Sequence, residues 1–109
     1  MKAVYVQEGK NLDYKNTGST VIAAGEVVVL GGHIGIAAGD IAVGEKGALC
    51  MEGVFRLTKK ADEAITAGAD VYYSEAGMTA VKAESAVSVG YAVNAAGEAD
   101  GTVTVKLLG

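Results

Sequence analysis

The chain has 109 residues, enough for one domain with a modest core and too few for two. Half of it is apolar, but there is no Trp and 16 glycines stand beside no proline, which predicts many tight turns and excludes a core of large aromatic anchors. A formal net charge of −4, with lysines and arginines scattered, argues against a nucleic-acid partner, and the single cysteine excludes an internal disulfide.

The first element in chain order is "KAVYVQ", where Val4 and Val6 alternate with Ala3 and Tyr5 in the period of a strand. "EVVVLGGHIGIA" reads as two short strands, Val27 to Leu30 and Ile34 to Ala37, joined through Gly31-Gly32, a dipeptide suited to a two-residue hairpin turn. From Lys46 onward, Leu49, Met51, Phe55 and Leu57 fall on one face of an extended segment, with Gly53 expected as a bulge. "TKKADEAITAG" breaks the alternation. Its Ala and Glu content, an N-cap at Thr58 and a stop at Gly68 predict a short helical segment. "DVYYSEAGMTAV" predicts a strand over 71–73, a polar turn and a second strand over 78–81. Tyr72-Tyr73 should place one ring in the core and the other outside. "VSVGYAV" and "TVTVKLL" close the chain as two half-buried strands around the loop "NAAGEADG".

A small-Gly-acidic turn recurs at "AGEV", "AGDI", "AGADV" and "AGEADGTV", but at irregular spacing, so it reads as reused turn chemistry rather than a solenoid. The expected fold is mainly β, a single domain over residues 1–109, built as a small β-barrel or sandwich with one short helical segment. Residues 1–15 form an N-terminal arm or edge strand.

The stretch "GDIAVGEKGALC" comes close to a phosphate-binding loop, which needs Gly-x-x-x-x-Gly-Lys-Ser/Thr between a strand and a helix. Here Glu45 takes the lysine position, Lys46 is displaced by one, Gly47 follows, and a strand pattern comes next. It reads as a turn. His33 is the single histidine and sits beside a glycine turn, so it reads as a solvated turn residue rather than a base for Cys50, which falls in the apolar alternation. Thirteen carboxylates are dispersed without a calcium-loop pattern. No catalytic constellation, cofactor-binding motif or metal-ligand set emerges. No apolar run approaches the ~18 residues that span a bilayer, and "MKAVYVQEGK" lacks the apolar stretch of a signal peptide, so a soluble protein with no membrane partner is expected.

The order of "YVQEG", "AGEVVVLGGHIGIA", "EGVFRLTKK" with "ITAGADVYY", and "VSVGYAV…AAGEADGTVTVKLLG" resembles the capsid cement, or head decoration, proteins of tailed bacteriophages. Members of that family often carry a RecA/RadA-like recombinase label, which the phosphate-loop reading does not support. The family commonly has a proline before the lysine that follows the "GVF" strand; Thr58 stands there in this chain.

The resemblance implies a non-enzymatic, mainly β virion protein and a homotrimer. It implies binding to the major capsid protein lattice from outside, at three-fold and quasi-three-fold positions, after assembly in the host cytoplasm. The contact to capsid or neighbouring subunits is expected from Ala3, Val4, Tyr5, Val6 and Gln7, with Tyr5 and Tyr14 as aromatic anchors and the outer ring of the Tyr72-Tyr73 pair as a further contact. Ala3 to Gln7 reads equally as an internal strand of the barrel. A non-catalytic β-barrel binding or adaptor module of a phage-derived particle is the alternative function.

Overall fold

The computed structural model describes residues 1–7, 9–84 and 86–108. Among them are eight strands: β1 (Asn11–Lys15), β2 (Val27–Leu30), β3 (His33–Ala37), β4 (Lys46–Cys50), β5 (Glu52–Thr58), β6 (Asp70–Tyr73), β7 (Val87–Ala92) and β8 (Thr102–Leu108). They form two antiparallel four-stranded sheets, ordered β1-β4-β3-β2 and β5-β8-β7-β6. The expected barrel does not close. Met51 carries the chain from β4 in one sheet directly to β5 in the other, so each sheet keeps two edges of its own.

The period-two segments fold as their pattern dictates. Val103, Val105 and Leu107 point into the core while Thr102 and Lys106 are exposed. Leu30 pairs with His33 around Gly31-Gly32, the predicted two-residue hairpin. The long apolar face from Leu49 to Leu57 is divided between the sheets. Leu49 and Met51 join a core cluster with Val28, Ala37 and Ile41; Phe55 and Leu57 join another with Val71, Val103, Val105 and Leu107. That second cluster also takes in Ile34 and Ile36 of β3, which seals one sheet onto the other. Each fully buried aliphatic side chain here, such as Leu49, Ile65 or Val105, contributes about 1.5–3 kcal/mol.

Several expectations are corrected. Residues 1–7 are not in a strand, because nothing lies beside them to complete a ladder; the first strand is β1, whose Leu12 and Tyr14 alternate with polar neighbours. "TKKADEAITAG" contains no helix. Asp62 has φ of 59°, and the buried Lys59 side chain takes the carbonyls of Lys60 and Glu63 that a helix would need for its own bonds. Residues 78–81 make only single bridges, Lys59 with Met78 and Tyr72 with Thr79. Register runs through Gly53 unbroken; the bulge sits instead between Val71 and Tyr72.

The two sheets are two copies of one unit. Ile22 bridges Ile41 in the first half as Ile65 bridges Ala96 in the second. Val28 pairs with Gly35 as Val71 pairs with Gly90. The turn glycines of "AGEV" and "AGADV", Gly25 and Gly68, have φ of 85° and 81° and donate to equivalent carbonyls, those of Ala37 and Ala92.

The equivalence extends to the buried polar groups. Asn16 and Lys59 each follow the first strand of their half. Asn16 Nδ2 donates to the carbonyls of Thr20 and Ile41 at 2.8 and 2.9 Å. Lys59 Nζ donates to those of Lys60 and Glu63 at 2.8 and 2.5 Å. A buried loop carbonyl must find a donor, and each half supplies one from the same place.

Candidate functional site

The near phosphate loop is a closed turn. The Glu45 amide donates to Ala42 O at 3.0 Å and the Gly44 amide to Asn16 O at 2.8 Å, so the donors that would cradle an anion are already committed. Asp40 Oδ1 accepts from the Ala24 amide at 2.8 Å, pinning the turn to the loop before β2, and β4 follows in place of a helix.

His33 is exposed at the start of β3. It lines a shallow depression of about 140 Å³ with Gly32, Ser88, Val89 and Leu108. Cys50 pairs with Ile36, three positions along β3 from His33, which places the two backbones roughly 10 Å apart. A thiol activated by imidazole needs hydrogen-bond contact, and that geometry does not supply it. No group of three or more His, Cys, Asp or Glu side chains among the described residues is arranged to hold a metal ion.

What the molecule offers instead is surface. Ala3 to Gln7 are all exposed, with Val4, Tyr5 and Val6 at 85%, 79% and 83%. Such a stretch holds apolar side chains in water beside backbone groups that could pair with a sheet edge, the make-up of a segment that adds to a partner.

The three tyrosines differ from the arm. Tyr14, on the edge strand β1, is half-buried against the cluster around Leu49. Tyr73, on the edge strand β6, packs on the other cluster and lines a depression of about 240 Å³ with Val27, Leu57 and Met78. Tyr72 is half-buried too, its backbone bridged to Thr79. The bulge beside Tyr72 is what disturbs a clean one-in, one-out placement. The predicted contact residues therefore lie on three elements: the arm, and edge strands of two different sheets.

Other surface features were not foreseen. Val29 and Leu30 at the β2–β3 hairpin, Val54 on β5 and Leu108 at the end of β8 are exposed. Lys106 lies over the Tyr91 ring at 5.9 Å, between Val54 and Tyr91 in the cross-strand row. A depression of about 410 Å³ beside them is lined by Glu52, Gly53, Lys106, Leu107 and Leu108. Val54 and Leu108 could have been found by asking which residues fall opposite the buried ones in the same strand.

Comparison with protein families gives one match over most of the chain: the family described as phage cement protein, over residues 6–107. No curated protein and no solved structure matches. The match bears out the resemblance carried by the ordered segments from "YVQEG" to "TVTVKLLG". The chain belongs to the phage cement protein family, whose members are structural, capsid-associated proteins.

Proposed function

We propose that this protein is a non-catalytic cement that binds the outside of an assembled phage capsid, at three-fold and quasi-three-fold positions, and stabilises it as a homotrimer. The family match along nearly the whole chain carries the reading. The net charge of −4 suits an outer surface better than a DNA-lined interior. Ala3 to Gln7, Tyr14, Tyr72 and Tyr73 are the proposed contacts to capsid and neighbouring subunits. The protein reaches its virion site from the host cytoplasm during assembly.

The mechanism is linkage. A ligand that binds only the assembled lattice stabilises it by RT ln(1 + [L]/Kd), about 2.7 kcal/mol per site at a hundredfold excess over Kd. A trimer that touches several capsomers adds avidity, since each held arm keeps the others at high effective concentration. The test is co-sedimentation with expanded capsids and with unassembled coat subunits, together with capsid melting. Binding to capsids alone, with a raised melting temperature, is expected; an unchanged melting temperature at saturation refutes the proposal.

A further inference from the structure

We infer that the first half carries a slot between the end of β1 and the outer edge of β2, and that Met1 and Lys2 of a second copy of this chain fill it. The inference rests on the homotrimer proposed above and names one contact within it.

The second half shows such a slot filled. Asn16 and Lys59, Ile22 and Ile65, and Gly25 and Gly68 are equivalent at one constant spacing, which also matches Lys15 to Thr58, Thr17 to Lys60 and Val29 to Tyr72. In the second half, Met78 donates its amide to Thr58 O at 2.8 Å and accepts from the Lys60 amide at 2.9 Å. Thr79 exchanges both backbone bonds with Tyr72, at 2.7 and 3.0 Å. Two residues of the link after β6 thus satisfy four backbone groups on two elements.

The first half has the same four groups and no segment for them. β2 and β3 close through Gly31-Gly32, so no link can fold back. The bonds of Lys10 to Met51 and Asn16 to Glu45 put the even-numbered residues of β1 on the β4 side, which turns Lys15 outward. The bond from Ala37 to Glu26 turns Val29 outward from β3 in the same way. Lys15 O, the Thr17 amide and the amide and carbonyl of Val29 make no further backbone bond among the described residues.

The occupant is named by the sequence. The filling segment reads Met78-Thr79-Ala80-Val81, and the pattern Met-x-Ala-Val occurs once more, at Met1-Lys2-Ala3-Val4, which is exposed and forms no bridge. Lys2 then pairs with Val29 as Thr79 pairs with Tyr72, and Met1 lies beside Asn16 as Met78 lies beside Lys59. The residue that differs is accounted for: Thr79 Oγ1 donates to the Glu63 carboxylate, and Thr20 stands at the place equivalent to Glu63, so the first half asks for no hydroxyl there.

Direction decides whose segment it is. Met78 bridges Lys59 in parallel and Thr79 bridges Tyr72 antiparallel. Laid extended in that sense, Val4 stands about 30 Å along from Lys10, whereas the stretch from Val4 to Lys10 spans at most about 20 Å. The chain's own arm falls short. A neighbour's arm has no such constraint.

The test uses full-length protein carrying Cys50→Ser. One chain bears Lys2→Cys, a differently tagged chain bears Val29→Cys, and the two are co-expressed and oxidised. A mixed disulfide between the tags is expected, with about tenfold less when Leu30→Cys, equally exposed but turned to the opposite face, replaces Val29→Cys. No link, equal linking at both positions, or a link formed only within one chain when both substitutions are placed together overturns the inference. Lys2→Pro gives a second reading, because it removes the amide that donates to Val29 O from an arm that forms no bridge in its own chain. Amide exchange at Val29 and Thr17 should quicken by about tenfold while Val28 and Leu30 are unchanged; exchange equal to that of the unsubstituted protein overturns the inference. Capsid co-sedimentation of the unsubstituted protein is read separately. Capsid binding without the mixed disulfide refutes the slot and leaves the cement function standing, and a mixed disulfide without capsid binding does the reverse.

Discussion

The two halves of the molecule solve one folding problem with different side chains. In the first, large Ile41 stands over Gly47; in the second, small Ala96 takes the place of Ile41 and Val103 that of Gly47. A Cβ added to Gly47 would run into Ile41, so volume has been moved across the contact rather than gained or lost. The polar plug differs likewise, a short amide from Asn16 against a long ammonium from Lys59. What is held constant is the backbone hydrogen bonding and, at the Ile41–Gly47 contact, the volume; side-chain identity varies around both.

That comparison breaks most severely at its glycine pair. Gly35 and Gly90 occupy equivalent places, but a Cβ on Gly90 would strike the Lys106 carbonyl, which is backbone, whereas one on Gly35 meets Met51 Sδ at 2.8 Å and Leu49 Cβ at 3.0 Å. Gly90→Ala should cost about 4 kcal/mol or more and leave little folded protein. Gly35→Ala should cost about 1–3 kcal/mol. Thermal and denaturant melts check both; equal effects would mean that β7 can move away from β8.

The volume exchange can be imposed. Ile41→Ala should cost about 2–5 kcal/mol and Gly47→Val about 1–3 kcal/mol, each measured alone. Together they convert the first half to the second half's solution, and the double variant should be more stable than the sum predicts by about 0.5–3 kcal/mol. An additive cycle would show that the two positions are not exchanging volume.

The plugs come next. Lys59→Met leaves the Lys60 and Glu63 carbonyls without their donor and should cost about 1–3 kcal/mol in a denaturant melt, with Asn16→Ala in the same range. The smallest effect is expected at Glu63. Its carboxylate accepts from Thr79 Oγ1 at 2.7 Å and from the Ala80 amide at 3.3 Å, holding the long connection between β6 and β7. Glu63→Ala should lower stability by about 1 kcal/mol and speed hydrogen exchange at the Tyr72 and Thr79 amides, leaving the first half's amides unchanged.

Alternation made most of the strands legible, because a half-buried strand cannot avoid writing its two faces into the sequence. It also misled at "KAVYVQ", since the pattern reports that one face is apolar and says nothing of what lies alongside. The helix expected at Thr58–Gly68 came from composition; Lys59, a residue usually exposed, gave no sign that it would turn inward. The repeat was hidden for two reasons. Side chains such as Ile41 and Gly47 are replaced in complementary fashion, and the spacing between equivalent residues lengthens after β6. Of the proposed contact surface, the sequence left Ala3 to Gln7 open between an arm and an internal strand, and only the fold shows them exposed. That β5 ends its sheet could not be read either, because an edge is a property of sheet order.

The link between β6 and β7 has a practical consequence. Its counterpart between β2 and β3 closes through Gly31-Gly32 alone, whereas Met78 and Thr79 of the longer link are buried, so only its outer part lies outside the core. Lys82, Ala83 and Glu84 in that link are solvent-facing. A foreign epitope spliced there would ride outside the described core, and under the proposed cement function each capsid-bound copy would present it.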